Sequence, residues 1–195
     1  MTAPGGACSF SAKAKEYAKS VKAVDILYSL PKDKLKEFGY LGIKKIYKNT
    51  DWMKNHNFAF YKNLDGHKLA RAGALKDFLD DYNLQNYEYG ALPNLRFESK
   101  EFDLALSGHF LFTYDKQFDY EFHKASILEL CRVSKEVRIF PLVDMNNSKI
   151  GKDKPFSDFA YRILDELISM GYNASFKKVD FEFQRDANYV LHIVC

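Results

Sequence analysis

The second half of the chain alternates short apolar runs with amphipathic stretches, and this alternation constrains the fold more than any other feature. Runs of strand length and residues with helical spacing follow one another, with a polar linker at 145–155. The predicted strands are the first part of 101–114, then 136–144, 174–184 and 187–195, and the predicted helices are 118–134 and 156–172. This pattern predicts an α/β sheet, mostly parallel and covered on both faces, that closes with an antiparallel hairpin across an Arg-Asp turn.

A glycine-rich stretch and a strand-end acid in the first half have the spacing of a nucleotide site. APGGACSF (3–10) contains Gly5 and Gly6, and VKAVDILY (21–28) predicts a buried strand that ends near Asp25, about twenty residues later. Adjacent glycines let the backbone approach a ligand, and a carboxylate has two oxygens for two ribose hydroxyls. A flexible N-terminal segment and a helix cap are the alternatives for the two features taken singly. Their joint spacing favours the nucleotide site.

The middle of the chain predicts a helical insertion between two strands. Residues from about 32 to 85 are irregular and helical, with turn signals at Gly39 and Gly42, and NYEYGAL (86–92) predicts the next strand. No repeat, low-complexity tract or Pro/Ser-rich linker divides the chain. We therefore expect a single domain over 1–195.

The composition restricts partners and compartment. The 195 residues include 29 basic and 26 acidic ones and carry a net charge of +3, a mixed surface that gives no argument for nucleic acid or a membrane. No apolar run reaches membrane-spanning length, and the first residues lack the plan of a signal peptide. Cys8, Cys131 and Cys195 are odd in number and widely spaced. We expect reduced thiols in a cytoplasmic protein, with no disulfide and no metal site.

Four stretches match, in order, the motifs of one enzyme family. They are APGGACSF, VKAVDILY, GALPNLRFESKEFDLALSGHFLF and ELCRVSKEVRIFPLVD. They resemble the glycine-rich motif, the second strand with its ribose-binding acid, the passage from the third strand's end through the fourth strand, and the following helix and fifth strand of class I S-adenosylmethionine-dependent methyltransferases. A fifth stretch, from GY (171–172) to FEFQRDANYVLHIV (181–194), resembles the closing segment of the family. SGHFLFTY with RVSKEVRIFPL resembles, more narrowly, a bacterial group of these enzymes with unassigned substrate. The resemblance covers essentially the whole chain and implies a three-layer, Rossmann-like sheet.

The resemblance also implies a cofactor and a set of site residues. The cofactor would be S-adenosylmethionine and the product S-adenosylhomocysteine, with in-line attack on the methyl group by a substrate nucleophile and neither a metal nor a covalent intermediate. The implied cofactor-binding residues are Gly5, Gly6, Asp25, Ala91, Leu92 and Ser107, and the implied catalytic residue is His109. The glycines would face the methionine moiety, the acid the ribose, the Ala-Leu pair the adenine, and the serine and histidine the sulfonium or the substrate. His109 is a candidate base because imidazole titrates near neutral pH; a histidine bound to the scaffold is the alternative.

The first strand of the family, which would lie centrally between the second and fourth, is absent ahead of the glycines. Its loss would leave buried backbone groups of the neighbouring strands unpaired. We therefore expect that residues outside this sequence complete the sheet, that another chain supplies the strand, or that cofactor binding is impaired. An unpaired sheet also favours a homodimer.

The methyl acceptor and two other functions stay open. A small molecule, a lipid precursor and a protein side chain fit about equally as acceptor, while nucleic acid is disfavoured because the Asn-Pro-Pro-Tyr signature is absent. An NAD(P)-dependent oxidoreductase would use the same glycines and acid. A non-catalytic, degenerate methyltransferase-like interaction domain would fit the short start and Ala91, which stands where many relatives have Asp.

Overall fold

The computed structural model describes residues 1–48, 51–145 and 155–195, and it confirms an α/β architecture with mainly parallel strands. The strands are β1 (Ala23–Asp25), β2 (Tyr87–Tyr89), β3 (Phe102–Gly108), β4 (Ser134–Phe140), β5 (Asn173–Lys178) and β6 (Tyr189–Val194). The helices are α1 (Phe10–Ala14), α2 (Lys32–Ile46), α3 (Leu64–Asp81), α4 (Tyr120–Val133) and α5 (Asp158–Ser169). Most of the predicted polar linker, 146–154, lies outside the described residues. Across the described ranges, no helix is both long and apolar enough to cross a membrane.

The chain divides into two compact units, which we call the N-terminal unit (Met1–Ala91) and the C-terminal unit (Leu92–Cys195). The N-terminal unit contains the predicted helical insertion as α2 and α3, with three 3-10 turns at Ile26–Ser29, Asp51–Asn55 and Ala59–Tyr61. A single domain over the whole chain stays a prediction.

Strand β1 is hydrogen-bonded on both of its edges. Along one edge it pairs in parallel with β2, with Asp25 opposite Tyr89. Along the other edge Thr2 forms a parallel bridge to Ala23, in which the Thr2 amide donates to the Lys22 carbonyl at 2.8 Å and the Thr2 carbonyl accepts from the Val24 amide at 2.9 Å. The expectation of unpaired backbone on this edge is therefore wrong for β1.

An aromatic core explains why a two-stranded sheet holds in the N-terminal unit. Tyr28, Phe78 and Tyr87 are at most 4% exposed and their rings contact one another at 5.3–6.0 Å between centroids, a spacing at which aromatic pairs attract beyond their area burial. Gly39 and Gly42 lie inside α2, so the predicted turns there are wrong. A methyl group at Gly39 would overlap the side chain of Leu75 in α3, so this glycine is used for helix packing.

The C-terminal unit holds a four-stranded sheet in the order β3-β4-β6-β5. Strands β3 and β4 are parallel, and β6 runs antiparallel to both of its neighbours, which confirms the predicted closing pair. The connection between β5 and β6 is longer than the predicted Arg-Asp turn, because β5 ends at Lys178. The chain leaves the sheet there, and Phe181 packs its ring 5.9 Å from that of Phe140.

Candidate functional site

Hydrogen bonds to the backbone of Gly5 and Gly6 hold this turn against the carboxyl end of β1. The Gly5 amide donates to the Val24 carbonyl at 2.7 Å, and the Gly6 amide donates to Oδ2 of Asp25 at 2.8 Å. The Gly6 carbonyl accepts from the Tyr28 hydroxyl at 2.7 Å, and the Gly5 carbonyl accepts from the Cys8 thiol at 3.2 Å. Both amides and both carbonyls of the two glycines are thus hydrogen-bonded, and these bonds give the turn a defined conformation.

The two side chains that hold the turn stay protonated at neutral pH. Burial raises the pKa of the Tyr28 hydroxyl far above its ordinary value, and the neighbouring Asp25 carboxylate raises it further. Burial likewise raises the pKa of the Cys8 thiol, against a lowering by the Phe10 backbone, and Asp25 adds to the rise. Both groups are therefore hydrogen-bond donors, as the two glycine carbonyls require.

The two glycines serve different purposes. A methyl group at Gly5 would overlap the Tyr28 hydroxyl and lie 2.8 Å from Cβ of Ala23, so Gly5 is required for close packing on β1. Gly6 has φ +58° and no atom within 4 Å of the position that a methyl group would take. Its backbone conformation favours glycine, and its Cα faces open space that a ligand can enter.

Asp25 combines a structural and a potential binding role. It is 7% exposed, its Oδ2 accepts from Gly6, and its Oδ1 accepts from the Leu27 amide at 2.9 Å, which caps the following 3-10 turn. Each carboxylate oxygen has two acceptor positions, so one position on each oxygen remains after these bonds. Among the described residues its hydrogen-bond donors are these two neutral amides, and a buried carboxylate gains free energy from further donors. Two hydroxyl groups of a diol meet that requirement.

Ala91 comes shortly after β2, at the edge of the sheet where Asp25 ends β1. The parallel register of β1 and β2 places their carboxyl ends together, and Ala91 is exposed there. A methyl group at the preceding Gly90 would lie 2.7 Å from a side-chain carbon of Val24, so Gly90 lets β2 end close to β1. The half-buried Leu92 is the first residue of the C-terminal unit.

Ser107 and His109 lie at the carboxyl end of β3 in the C-terminal unit. Ser107 is 1% exposed, and its hydroxyl has no hydrogen-bond partner in the part of the chain that the structure describes. His109 is exposed, its amide donates to the Phe140 carbonyl at 2.6 Å, and its φ is +54°. A left-handed backbone in a residue with a side chain costs about 1–2 kcal/mol, and such strain clusters at functional sites. Lys62, Lys100, Phe112 and Asp186 also have a positive φ, so the catalytic role of His109 stays a prediction.

Two residues of the site escape sequence reasoning. Tyr28 holds the glycine turn, although its position three residues after Asp25 gives only a weak signal for that contact. Gly90 sets the separation of the carboxyl ends of β1 and β2. An isolated glycine after a strand does not by itself predict that another strand lies so close. The carboxylate and the turn are therefore predictable from spacing, and the residues that orient them are not.

The aromatic residues of the insertion form a core. His67 is 3% exposed, its Nδ1 lies 2.7 Å from the Tyr47 hydroxyl, and the rings of Trp52, Phe58 and Tyr61 surround it at 4.8–5.8 Å. Burial lowers the pKa of this imidazole to about 4, and Arg71 and His56 lower it in the same direction. Among the described residues, no three His, Cys, Asp or Glu side chains come together as metal ligands.

Comparison with known proteins places the chain in a family. No protein-family model matches it. The chain is 33% identical over 199 residues to the uncharacterized protein MJ0045 of Methanocaldococcus jannaschii, and the match covers 96% of this chain and 81% of that protein. The chain therefore belongs to the family of MJ0045.

Proposed function

We propose that the chain is an S-adenosylmethionine-dependent methyltransferase in which Asp25 binds the ribose diol of the cofactor. The observation that carries the proposal is the Asp25 carboxylate itself. It is buried at the carboxyl end of a parallel strand, oriented by two backbone amides, and retains one acceptor position on each oxygen. Ligands of open α/β sheets bind beyond this end of the strands.

The surroundings of Asp25 fit a nucleoside. The glycine turn is hydrogen-bonded to β1, and the open space beside Gly6 leaves room for a ligand at the turn. Ala91 lies at the same edge of the sheet, with a small side chain that can contact an adenine ring by its backbone and methyl group. The antiparallel closing pair of the C-terminal sheet also agrees with the family that the sequence resembles.

The chain's own residues would position and orient the reactants. S-adenosylmethionine supplies a methyl group already activated on a sulfonium, so alignment is the main task of the protein, and alignment contributes roughly 7–11 kcal/mol in well-oriented reactions. Asp25 would fix the ribose, and the rigid turn would fix the adjoining part of the cofactor. His109, at the end of β3, would take a proton from the methyl acceptor on an imidazole nitrogen.

Calorimetric titration tests this proposal with S-adenosylhomocysteine and, separately, NADH. We expect micromolar binding of S-adenosylhomocysteine and none of NADH. Replacing Asp25→Asn removes the charge from two charge-assisted hydrogen bonds, a loss of about 2–3 kcal/mol or about 30- to 140-fold in Kd. Asp33→Asn, an exposed acid at the start of α2, is the matched control and leaves Kd unchanged.

The outcomes separate the candidate functions. Tight binding of NADH with loss in Asp25→Asn would support the oxidoreductase. No binding of either compound by a folded chain, checked by its thermal melt, would reject the methyltransferase and favour the interaction domain. Equal binding by Asp25→Asn and the parent chain would reject the role of this carboxylate.

A further inference from the structure

Within the described residues of the C-terminal unit, helices α4 and α5 cover one face of the four-stranded sheet. The covered face carries residues with no exposed surface, which are Ala105, Val137, Ile139, Leu191 and Ile193. Helices α4 and α5 contact each other and the strands on that side. Across the other face the register sets Leu106, Arg138, His192 and Ser175 in one row. The row therefore lies on the face opposite helices α4 and α5.

A cavity of about 480 Å³ lies on this second face. Its lining includes the apolar residues Leu106, Phe140 and Val190 and the cations Arg138 and Lys177. Ligand sites of proteins occupy roughly 300–1,000 Å³ and combine an apolar lining with a few polar groups. The cavity has that size and that composition.

The charged groups around the cavity are mainly positive. Arg138 is half-exposed and uses only its Nε, which donates to Oε1 of Glu136 at 2.7 Å; within the described residues its two terminal amino groups have no acceptor. Lys177 and Lys178 also line the cavity, and neither forms an ion pair with a described residue. Three cations against a single carboxylate make the cavity attractive to an anion.

Glu136, the carboxylate beside these cations, accepts two hydrogen bonds on its Oε1. Glu136 accepts from Arg138 and, at 2.8 Å, from Nε2 of His192. Burial opposes its ionisation, but the hydrogen bonds from Arg138 and His192 outweigh that effect and lower its pKa. Glu136 thus orients the guanidinium of Arg138 through Nε. The two terminal amino groups of the guanidinium do not donate to Glu136.

We propose that this cavity binds a small organic anion, whose carboxylate or phosphate group is held by Arg138 with Lys177 and Lys178 and whose apolar body lies on Phe140 and Leu106. The two anionic groups share the chemistry that a guanidinium fork recognises, namely two oxygens presented in one plane. Ser107, one of the implied cofactor-binding residues, also lines this cavity, but none of the three cations belongs to that set. Anion binding is measured without S-adenosylmethionine, so its test is separate from that of the proposed function.

The test is a titration of the isotope-labelled full chain by NMR with phenyl phosphate, with benzoate and with uncharged benzyl alcohol. We expect saturable shifts of the Arg138 and His192 signals with one of the anions at low-millimolar Kd or tighter. Arg138→Gln should weaken that binding at least tenfold, and so should Lys177→Gln combined with Lys178→Gln. Lys135→Gln, on the same strand but paired with Asp103 at 2.7 Å, is the matched control and should bind as the parent chain does.

Each result decides the proposal or refines it. Binding of phenyl phosphate alone identifies a phosphate-bearing ligand, and binding of benzoate alone or of both identifies a carboxylate as sufficient. Three results overturn the proposal. Benzyl alcohol could bind as tightly as the anions, or both sets of cation variants could bind as tightly as the parent chain. The third result is no saturable shift at an anion concentration of about 10 mM. Circular dichroism of the variants establishes that the exposed substitutions leave the fold intact.

Discussion

Gly5→Ala tests whether the glycine turn is built into the fold of the N-terminal unit. The added methyl group would overlap the Tyr28 hydroxyl and lie 2.8 Å from Cβ of Ala23, which has no exposed surface and belongs to β1. Overpacking of this kind costs about 1–3 kcal/mol, and displacement of Tyr28 from the Gly6 carbonyl costs about 1 kcal/mol more. We therefore expect the free energy of unfolding to fall by about 2–4 kcal/mol.

Gly6→Ala is the matched control, because it changes the neighbouring glycine without a clash. Its methyl group would meet nothing within 4 Å, and only the φ of +58° penalises it, by about 1–2 kcal/mol. Urea denaturation followed by far-ultraviolet circular dichroism measures both variants. The expected order is a larger loss for Gly5→Ala than for Gly6→Ala.

A double-mutant cycle isolates the contact with Tyr28. Tyr28→Phe removes the hydroxyl that overlaps the added methyl group, so Gly5→Ala should cost at least about 1 kcal/mol less in that background than in the parent chain. Additive losses, or a Gly5→Ala variant no less stable than Gly6→Ala, would refute the close packing of the turn on Tyr28.

Two further predictions follow from shifted pKa values. The pKa of His67 is about 4 in the folded chain against an ordinary 6.5, so the unfolded chain binds this proton at a higher pH than the folded chain does. The contribution of neutral His67 to stability is therefore complete above pH 6.5 and falls as the pH drops towards 4. At pH 4.5 the free energy of unfolding should be lower by about 2–3 kcal/mol. Urea denaturation at pH 7.5 and 4.5 measures that loss, which should be smaller by about 2 kcal/mol in His67→Gln. The same pH dependence in His67→Gln and the parent chain would contradict the lowered pKa of His67. A hydrogen bond from the Cys131 thiol lowers the pKa of Cys195, while the same bond and burial raise that of Cys131. Iodoacetamide at pH 7.5 should therefore alkylate Cys195 first, as peptide mass mapping would show, and faster modification of Cys131 would contradict this.

The strands and helices of the second half are the part of the fold that the sequence predicts best. Each apolar run there is bounded by polar or turn residues, and most of the resulting elements begin and end within a few residues of the predictions. Strand β5 is the exception, because it ends at Lys178 and the predicted strand ends at 184. The predicted turns at Gly39 and Gly42 fail because helix α2 tolerates these glycines, and Gly39 is kept for its contact with Leu75. Local propensity carries no information about a partner helix that is more than thirty residues away.

The candidate site shows the same division between local spacing and tertiary contact. The spacing of Gly5, Gly6 and Asp25 correctly predicts that these residues lie together, because a turn that follows one extended segment and the end of the next parallel strand meet at one edge of a sheet. It does not predict that the Gly6 amide is directed at Asp25. That bond depends on the left-handed conformation of Gly6, which only the folded loop defines.

The hydrogen bonds along the second edge of β1 change the argument about cofactor binding. A strand of three residues has few backbone groups on each edge, and residues 2–5 pair those flanking Ala23: the Lys22 carbonyl, the Val24 amide and the Val24 carbonyl. An unpaired edge on β1 therefore gives no reason to expect impaired binding at the turn. The same pairing carries the chain from Thr2 directly into Gly5 and sets the Gly6 amide on Asp25. Gly5, Gly6 and Asp25, which would bind the nucleoside under the proposed function, are thus held in register by the backbone of β1.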